Sequence, residues 1–210
     1  WVQDVAATLP VRLLGPVAGK HIIDLCAAPG GKTLELAALG ARVTAVDRSK
    51  PRLRRMQETL DRPGLSANLV QADATQWNPD FTPDAILVDA PCSATGTLRR
   101  HPDIPWIKSS ADLTQLRNLQ TRLLDAAITM APSGAPIVYC TCSLEPEEGP
   151  DQISALRERN PGVRLEAIDP TWLTGAEECL NADGTLRTLP THLAGRGGMD
   201  GFFAARLVKD

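Results

Sequence analysis

The sequence predicts an α/β fold: a Rossmann-like, doubly wound sheet of seven mostly parallel strands with helices on both faces. Three observations carry this expectation. Apolar runs alternate with helical patterns along the 210 residues, the signature of parallel βα units. A glycine-rich turn, Cys26-Ala27-Ala28-Pro29-Gly30-Gly31-Lys32, follows the first apolar run. Acidic residues then recur at the ends of successive runs: Asp47, Asp73 and Asp89.

The elements follow in order. His21–Cys26 reads as the first strand, and the turn opens a helix from about Gly31 to Leu39. Arg42–Val46 is the second strand, ending at Asp47. Ser49 is placed to cap the next helix and Pro51 suits its first turn, because proline lacks the N–H that goes unpaired there. Ala67–Gln71 and Ala85–Asp89 are strands three and four. A long helix over Asp112–Met130 carries Leu113, Leu116, Leu119, Leu123, Ala127 and Met130 at helical spacing, with Ser109 and Asp112 forming a capping box. Ile137–Thr141 is strand five, Pro146 opens a helix to about Arg159, and Val163–Ile168 and Phe202–Val208 are strands six and seven. Thr95–Ser110 and Thr174–Met199 remain as long loops, a length that is often functional.

Composition narrows the function classes. With 43% hydrophobic and 22% charged residues, the chain is an ordinary globular domain. It contains no apolar stretch near ~20 residues, so no membrane span is expected, and no signal peptide is visible. The chain begins at Trp1, which suggests a piece of a longer protein. Five scattered cysteines lack metal-ligand spacing. They read as reduced thiols of a cytoplasmic protein without a metal, and a monomer is expected. A net charge of −3 argues mildly against a free-standing nucleic-acid module. Basic clusters exist at Arg48, Lys50, Arg52, Arg54 and Arg55, and at Arg99, Arg100 and His101. The first reads as a solvated helix face.

The turn at residues 26 to 32 brings backbone and a helix N-terminus close to a ligand. Its spacing does not match the glycines of a dinucleotide fingerprint. A phosphate-binding loop would need glycine where Cys26 stands, although Gly31-Lys32-Thr33 and the strand Ile86–Asp89 imitate its other parts. S-adenosylmethionine fits better. Asp47, 23 residues after Asp24, suits the ribose hydroxyls, close to the usual offset of ribose-binding acids. Asp73 can receive the adenine edge, and Asp89 lies on the side of the cationic sulfonium. Each aspartate alone could equally be a strand-end turn or a helix cap.

Two thiols lie just past strand ends: Cys92 after Asp89-Ala90-Pro91, and Cys142 after Thr141. In an open α/β sheet, ligands sit beyond the carboxyl ends of the strands, so covalent chemistry on a base is suggested. Cys140 reads as core, Cys26 as buried beside the cofactor, and Cys179, in a polar loop, shows no role. Lys32 stands near the methionine end, either as a contact or as a solvated lysine. Phe202, Phe203 and Trp106 are candidates to stack on a base, though residues 202 and 203 alternate faces on a strand.

Leu25-Cys26-Ala27-Ala28-Pro29-Gly30-Gly31-Lys32-Thr33, Asp89-Ala90-Pro91-Cys92-Ser93-Ala94-Thr95-Gly96 and Thr141-Cys142-Ser143 together resemble the RNA cytosine-5 methyltransferases. Val2-Gln3-Asp4, Arg99-Arg100-His101-Pro102-Asp103-Ile104 and Asp200-Gly201-Phe202-Phe203-Ala204 are similar to the Fmu/Sun (RsmB) branch, which acts on a cytosine of 16S ribosomal RNA. The resemblance spans essentially the whole chain. It implies a class I S-adenosylmethionine-dependent methyltransferase fold over residues 1–210, with residues 26 to 32, Asp47, Asp73 and Asp89 binding the cofactor. It implies Cys142 as nucleophile, Cys92 as the residue assisting release, and RNA with an unpaired or flipped cytosine as substrate. Asp89 is also the expected contact to the base. The branch carries an N-terminal helical RNA-binding domain that these residues lack, which would account for the acidic charge. Adenine amino-methylation is a weaker reading, since it favours Asn/Asp-Pro-Pro-aromatic where this chain has Asp-Ala-Pro-Cys.

Overall fold

The computed structural model describes all residues 1–210. Five strands form the parallel part of the sheet: β1 (His21–Leu25), β2 (Arg42–Asp47), β3 (Asn68–Gln71), β4 (Ala85–Asp89) and β5 (Pro136–Thr141). Two further strands are β6 (Val163–Leu165) and β7 (Leu186–Thr188), and the last is β8 (Phe202–Lys209). The sheet order is β3-β2-β1-β4-β5-β8-β6, with β8 antiparallel to β5 and β6, and β7 paired to the start of β8.

Near-continuous apolar runs form the central strands because both faces are covered. Alternate residues feed two separate cores. Ala85 and Leu87 join the side covered by α1 (Val5–Arg12), α2 (Gly31–Ala38) and α3 (Lys50–Asp61). Ile86 and Val88 join the side covered by the two later helices, Ser110–Met130 and Pro150–Arg159. A one-turn helix, α4 (Ile104–Ile107), precedes them, so they are α5 and α6. The chain runs from β1 outward to β2 and β3, then returns to β4 on the other side of β1. This reversal opens a crevice beyond the carboxyl ends of β1 and β4.

All seven expected strands are present, and the structure adds to them. β7 lies inside the expected loop 174–199, held by pairing with Phe202–Ala204. α1 was not expected; Asp4 caps it by accepting the Ala6 N–H at 2.9 Å, and Pro10 sits within it. The capping box at Ser109 and Asp112 is present. Ser49 precedes α3 but makes no side-chain cap; Asp47 accepts its N–H instead, at 2.8 Å. The helix expected from Pro146 starts four residues later. Pro146–Glu148 forms a single 3-10 turn, and Gly149 (φ −126°, ψ −104°) breaks the helical path before Pro150. The break lets the Glu148 side chain turn inward, where it is fully buried. No helix is long and apolar enough to cross a membrane.

Candidate active site

A cleft of about 590 Å³ opens beyond the ends of β1 to β4, and Cys26, Asp47, Asp73, Pro91 and Leu119 are among its walls. Leu116 and Leu119 border it because the N-terminal half of the α5 stripe is only half-buried. The structure thus brings together three of the expected cofactor residues. Cys26 turns the chain with φ 60°, and burial pushes its thiol up to about 12, which marks it as a wall rather than a nucleophile. Asp47 is buried, and its carboxylate accepts the N–H of Ala28 at 3.1 Å and of Ser49 at 2.8 Å. Arg52 reaches the same carboxylate and donates to the Ala28 carbonyl, so one member of the first basic cluster ties the glycine-rich turn to β2. On Asp73, Oδ1 accepts the N–H and hydroxyl of Thr75, which holds the carboxyl below its ordinary range. Its Oδ2 has no partner within the chain.

The rest of the turn does not line this cleft. Ala27, Ala28 and Gly30 are buried, Gly31 is half-buried and Pro29 is exposed after a cis bond. Gly30 has φ 107°, and a Cβ there would stand 2.8 Å from Met56 Cγ, so only glycine lets α2 begin against α3. Lys32 is buried, which corrects the alternative of a solvated lysine. Its Nζ lies 2.8 Å from Asp89 Oδ1 and over the Phe202 ring at 5.1 Å. Burial is the largest single influence and works against its charge, but Asp89, Cys140 and Asp24 together outweigh it and raise the ammonium. Asp89, with a side chain 30% exposed, keeps its second oxygen free. Beneath it, Asp24 is fully buried, bonded by Thr33 at 2.5 Å, and pushed up to about 7 by burial. Its Oδ1 has no partner.

The sulfurs of Cys92 and Cys142 meet at 3.4 Å. Both residues are half-buried, past the carboxyl ends of β4 and β5; neither lines the 590 Å³ cleft, although Pro91, next to Cys92, does. Two loop contacts bring them together. Gly96 donates to the Cys142 carbonyl at 3.0 Å, and Gly201 donates to the Gly96 carbonyl at 2.8 Å. Either sulfur can donate across this contact; with Cys92 as the donor, the hydrogen bond lowers the Cys142 thiol and raises Cys92. Cys140 is buried with its thiol raised by burial, as expected of core.

Other expectations need correction. Phe202 and Phe203 are both buried, packed under Lys32 and Arg187, so neither offers a free face to a base. Trp106 is 88% exposed. Arg99 and Arg100 are not a free basic patch: Asp200 binds both, and Asp4 also binds Arg99. Cys179 is buried, 3.3 Å from His192 Nδ1. Sequence reasoning missed Glu148, Gln120, Ser93 and Ser143, which surround the two thiols. Only Ser93 and Ser143, being adjacent to cysteines, carried any local signal.

Residues 11–208 match the family described as 16S rRNA methyltransferase RsmB/F. This chain belongs to that family. It is 41% identical over 213 aligned residues to the ribosomal RNA small subunit methyltransferase B of Citrobacter koseri, covering 99% of this chain and 46% of the relative. The chain therefore spans about half the length of the curated relatives it matches. Among solved structures, NSun6 from Pyrococcus horikoshii with SFG superposes with TM-score 0.82 at 31% identity, covering 100% of this chain and 53% of that one. A methyltransferase homolog protein from Pyrococcus horikoshii gives TM-score 0.80 at 29% identity, with 100% and 68% covered. The fold is that of the S-adenosylmethionine-dependent methyltransferases, and S-adenosylmethionine is the cofactor of the family. The residues fit it: an open cleft, and a carboxylate oxygen left free on Asp73 and another on Asp89.

Proposed function

We propose that residues 1–210 are a catalytic domain that methylates carbon 5 of a cytosine in RNA, with 16S ribosomal RNA as the substrate and the cytoplasm as its place of action. The observation that carries this reading is the 3.4 Å pair of thiols past the carboxyl ends of β4 and β5. An amino-methyltransferase acting on adenine has no use for two such sulfurs. RNA as substrate is supported by the family and by the relatives' names.

Carbon 5 of cytosine is a poor nucleophile. The Cys142 thiolate adds to carbon 6, forming a C–S bond and pushing the ring electrons onto carbon 5. Sulfur suits this step because a fraction is thiolate at neutral pH and it is strongly nucleophilic. Bound in the cleft, S-adenosylmethionine supplies the methyl group that carbon 5 takes up. The proton on carbon 5 then leaves to a base, and the Cys142 sulfur departs with the electron pair of the C–S bond. Cys92, touching that sulfur, assists its departure. Asp89 is proposed to hold N3 of the base through the oxygen that Lys32 does not occupy, sharing a proton that N3 takes up as the sulfur adds and that it gives back when the sulfur departs. Asp47 and Asp73 are proposed to hold the ribose and adenine of the cofactor, and residues 26 to 32 to shape the turn around it. The target base must leave its stack, at a cost of a few kcal/mol.

Full-length Cys142→Ala is expected to bind S-adenosylmethionine as the wild type does and to transfer no methyl group to ribosomal RNA. Mass analysis of the RNA nucleosides identifies the product. Full activity in that variant, or a methyl group on adenine, would overturn the reading.

A further inference from the structure

Glu148 lies on the 3-10 turn after β5, with its side chain completely buried. Both carboxylate oxygens accept the Ser93 N–H at 3.0 Å, one also accepts the Ser93 hydroxyl at 2.5 Å, and the other accepts Gln120 Nε2 at 3.0 Å. Every partner is a donor, the arrangement an ionised carboxylate requires. No lysine, arginine or histidine forms an ion pair with it. Hydrogen bonds alone hold this buried charge.

Those hydrogen bonds reach the neighbours of both cysteines. Ser93 follows Cys92. Gln120 Nε2 also donates to the carbonyl of Pro91, which precedes Cys92, at 2.9 Å. The Ser93 hydroxyl meets the Ser143 hydroxyl at 3.1 Å, just past Cys142. The Glu148 carbonyl accepts from Thr141, just before Cys142, at 3.3 Å and from Tyr139 at 2.8 Å. Glu148 therefore bonds Ser93 and Thr141 directly and reaches Pro91 through Gln120 and Ser143 through Ser93, with its carboxylate on the Cys92 side.

We propose that Glu148 is the positioning residue that makes the two thiols unequal: its buried negative charge keeps Cys92 as the S–H donor and thereby leaves Cys142 as the thiolate. The inference rests on the proposed cysteine chemistry for its use, but not for its test. A negative charge beside a thiol disfavours a second negative charge, and Glu148 is among the groups that raise Cys92. The thiol so kept donates to Cys142 and lowers it. The other charged or titratable groups facing the sulfurs are Asp89 and Lys32, Tyr139, and Arg100. Glu148→Gln leaves each of them in place, although Tyr139, which Glu148 also raises, is expected to come down with Cys92.

The test is the pH dependence of iodoacetamide labelling at each cysteine of the full-length protein, read by peptide mass spectrometry. In the wild type, Cys142 is expected to label at lower pH than Cys92. Glu148→Gln is expected to bring Cys92 down by at least about one pH unit, roughly tenfold faster labelling at fixed pH, and to slow Cys142. Glu148→Asp keeps the charge and is expected to keep the wild-type order even where turnover falls. An unchanged gap in Glu148→Gln, or Cys92 labelling first in the wild type, overturns the proposal. If Glu148→Gln does not fold, the wild-type order and a folded Glu148→Asp decide, and loss of the order in the latter overturns it. Absence of methyl transfer by a wild-type protein that shows the expected thiol order would instead count against the function proposed above.

Discussion

Replacing Gly96 by alanine forces apart the two loops that hold the sulfurs. The added Cβ would stand 1.9 Å from the Gly201 carbonyl oxygen, 2.6 Å from its carbon and 2.9 Å from the Cys142 carbonyl oxygen. Real Cβ atoms essentially never come closer than 3.0 Å, so backbone must retreat by about 1 Å, and no flexible side chain is there to absorb it. Gly96 is hydrogen-bonded to both Cys142 and Gly201, so the retreat stretches the 3.4 Å sulfur contact. Overpacking of this kind costs about 1–3 kcal/mol, or roughly 3 °C in Tm per kcal/mol for a chain of this size. A misplacement of about 1 Å at reacting groups costs on the order of 100-fold in rate. The assay is methyl transfer from labelled S-adenosylmethionine to ribosomal RNA by the full-length protein, alongside thermal unfolding. Gly162→Ala is the control, since a Cβ there meets nothing within 4 Å. Gly96→Ala with wild-type turnover would refute the reasoning that the close approach of these loops sets the thiol pair.

Three further outcomes are expected. Lys32→Met leaves the partly exposed Asp89 without its counter-ion; thermal unfolding should show a loss of about 2 kcal/mol, less than for a fully buried pair, and methyl transfer should fall. Asp24, raised to about 7 by burial, holds its proton more tightly folded than unfolded. Its contribution is therefore complete below about pH 4 and is lost as pH rises to about 7, by an amount on the order of 4 kcal/mol. Asp24→Asn should flatten that part of the stability–pH curve measured by denaturant titration without cofactor; an unchanged curve would contradict the assignment. Asp47→Ala removes the acceptor for two backbone N–H groups at the cleft wall, and calorimetry should show S-adenosylmethionine binding weakened roughly 10-fold or more.

The fold was legible where the pattern is local. The apolar runs of β1, β4 and β5, the glycine-rich turn and the capping box at Ser109 each declare themselves within a few residues. The thiols were legible because each ends a strand in a parallel sheet, and such ends converge. β7 was not, since three residues become a strand only through pairing with β8. Nor was α1, whose interior Pro10 argues against a helix locally while burial of Ala6, Leu9 and Val11 supports it. Glu148 lay hidden among exposed-looking Glu145, Glu147 and Glu148; its partner Ser93 is 55 residues away in sequence. Cys179 sits in a polar stretch, yet folding carries it into the core. Pairing of Arg99 and Arg100 with Asp200 likewise spans about half the chain.

The most direct measurement is peptide mapping of the covalent adduct that full-length Cys92→Ala forms with ribosomal RNA and S-adenosylmethionine. The adduct should accumulate, because departure of the sulfur is no longer assisted, and the cross-linked nucleotide should be a 5-methylcytosine attached through Cys142. An adduct at any other residue, or rapid turnover with none, would contradict the account.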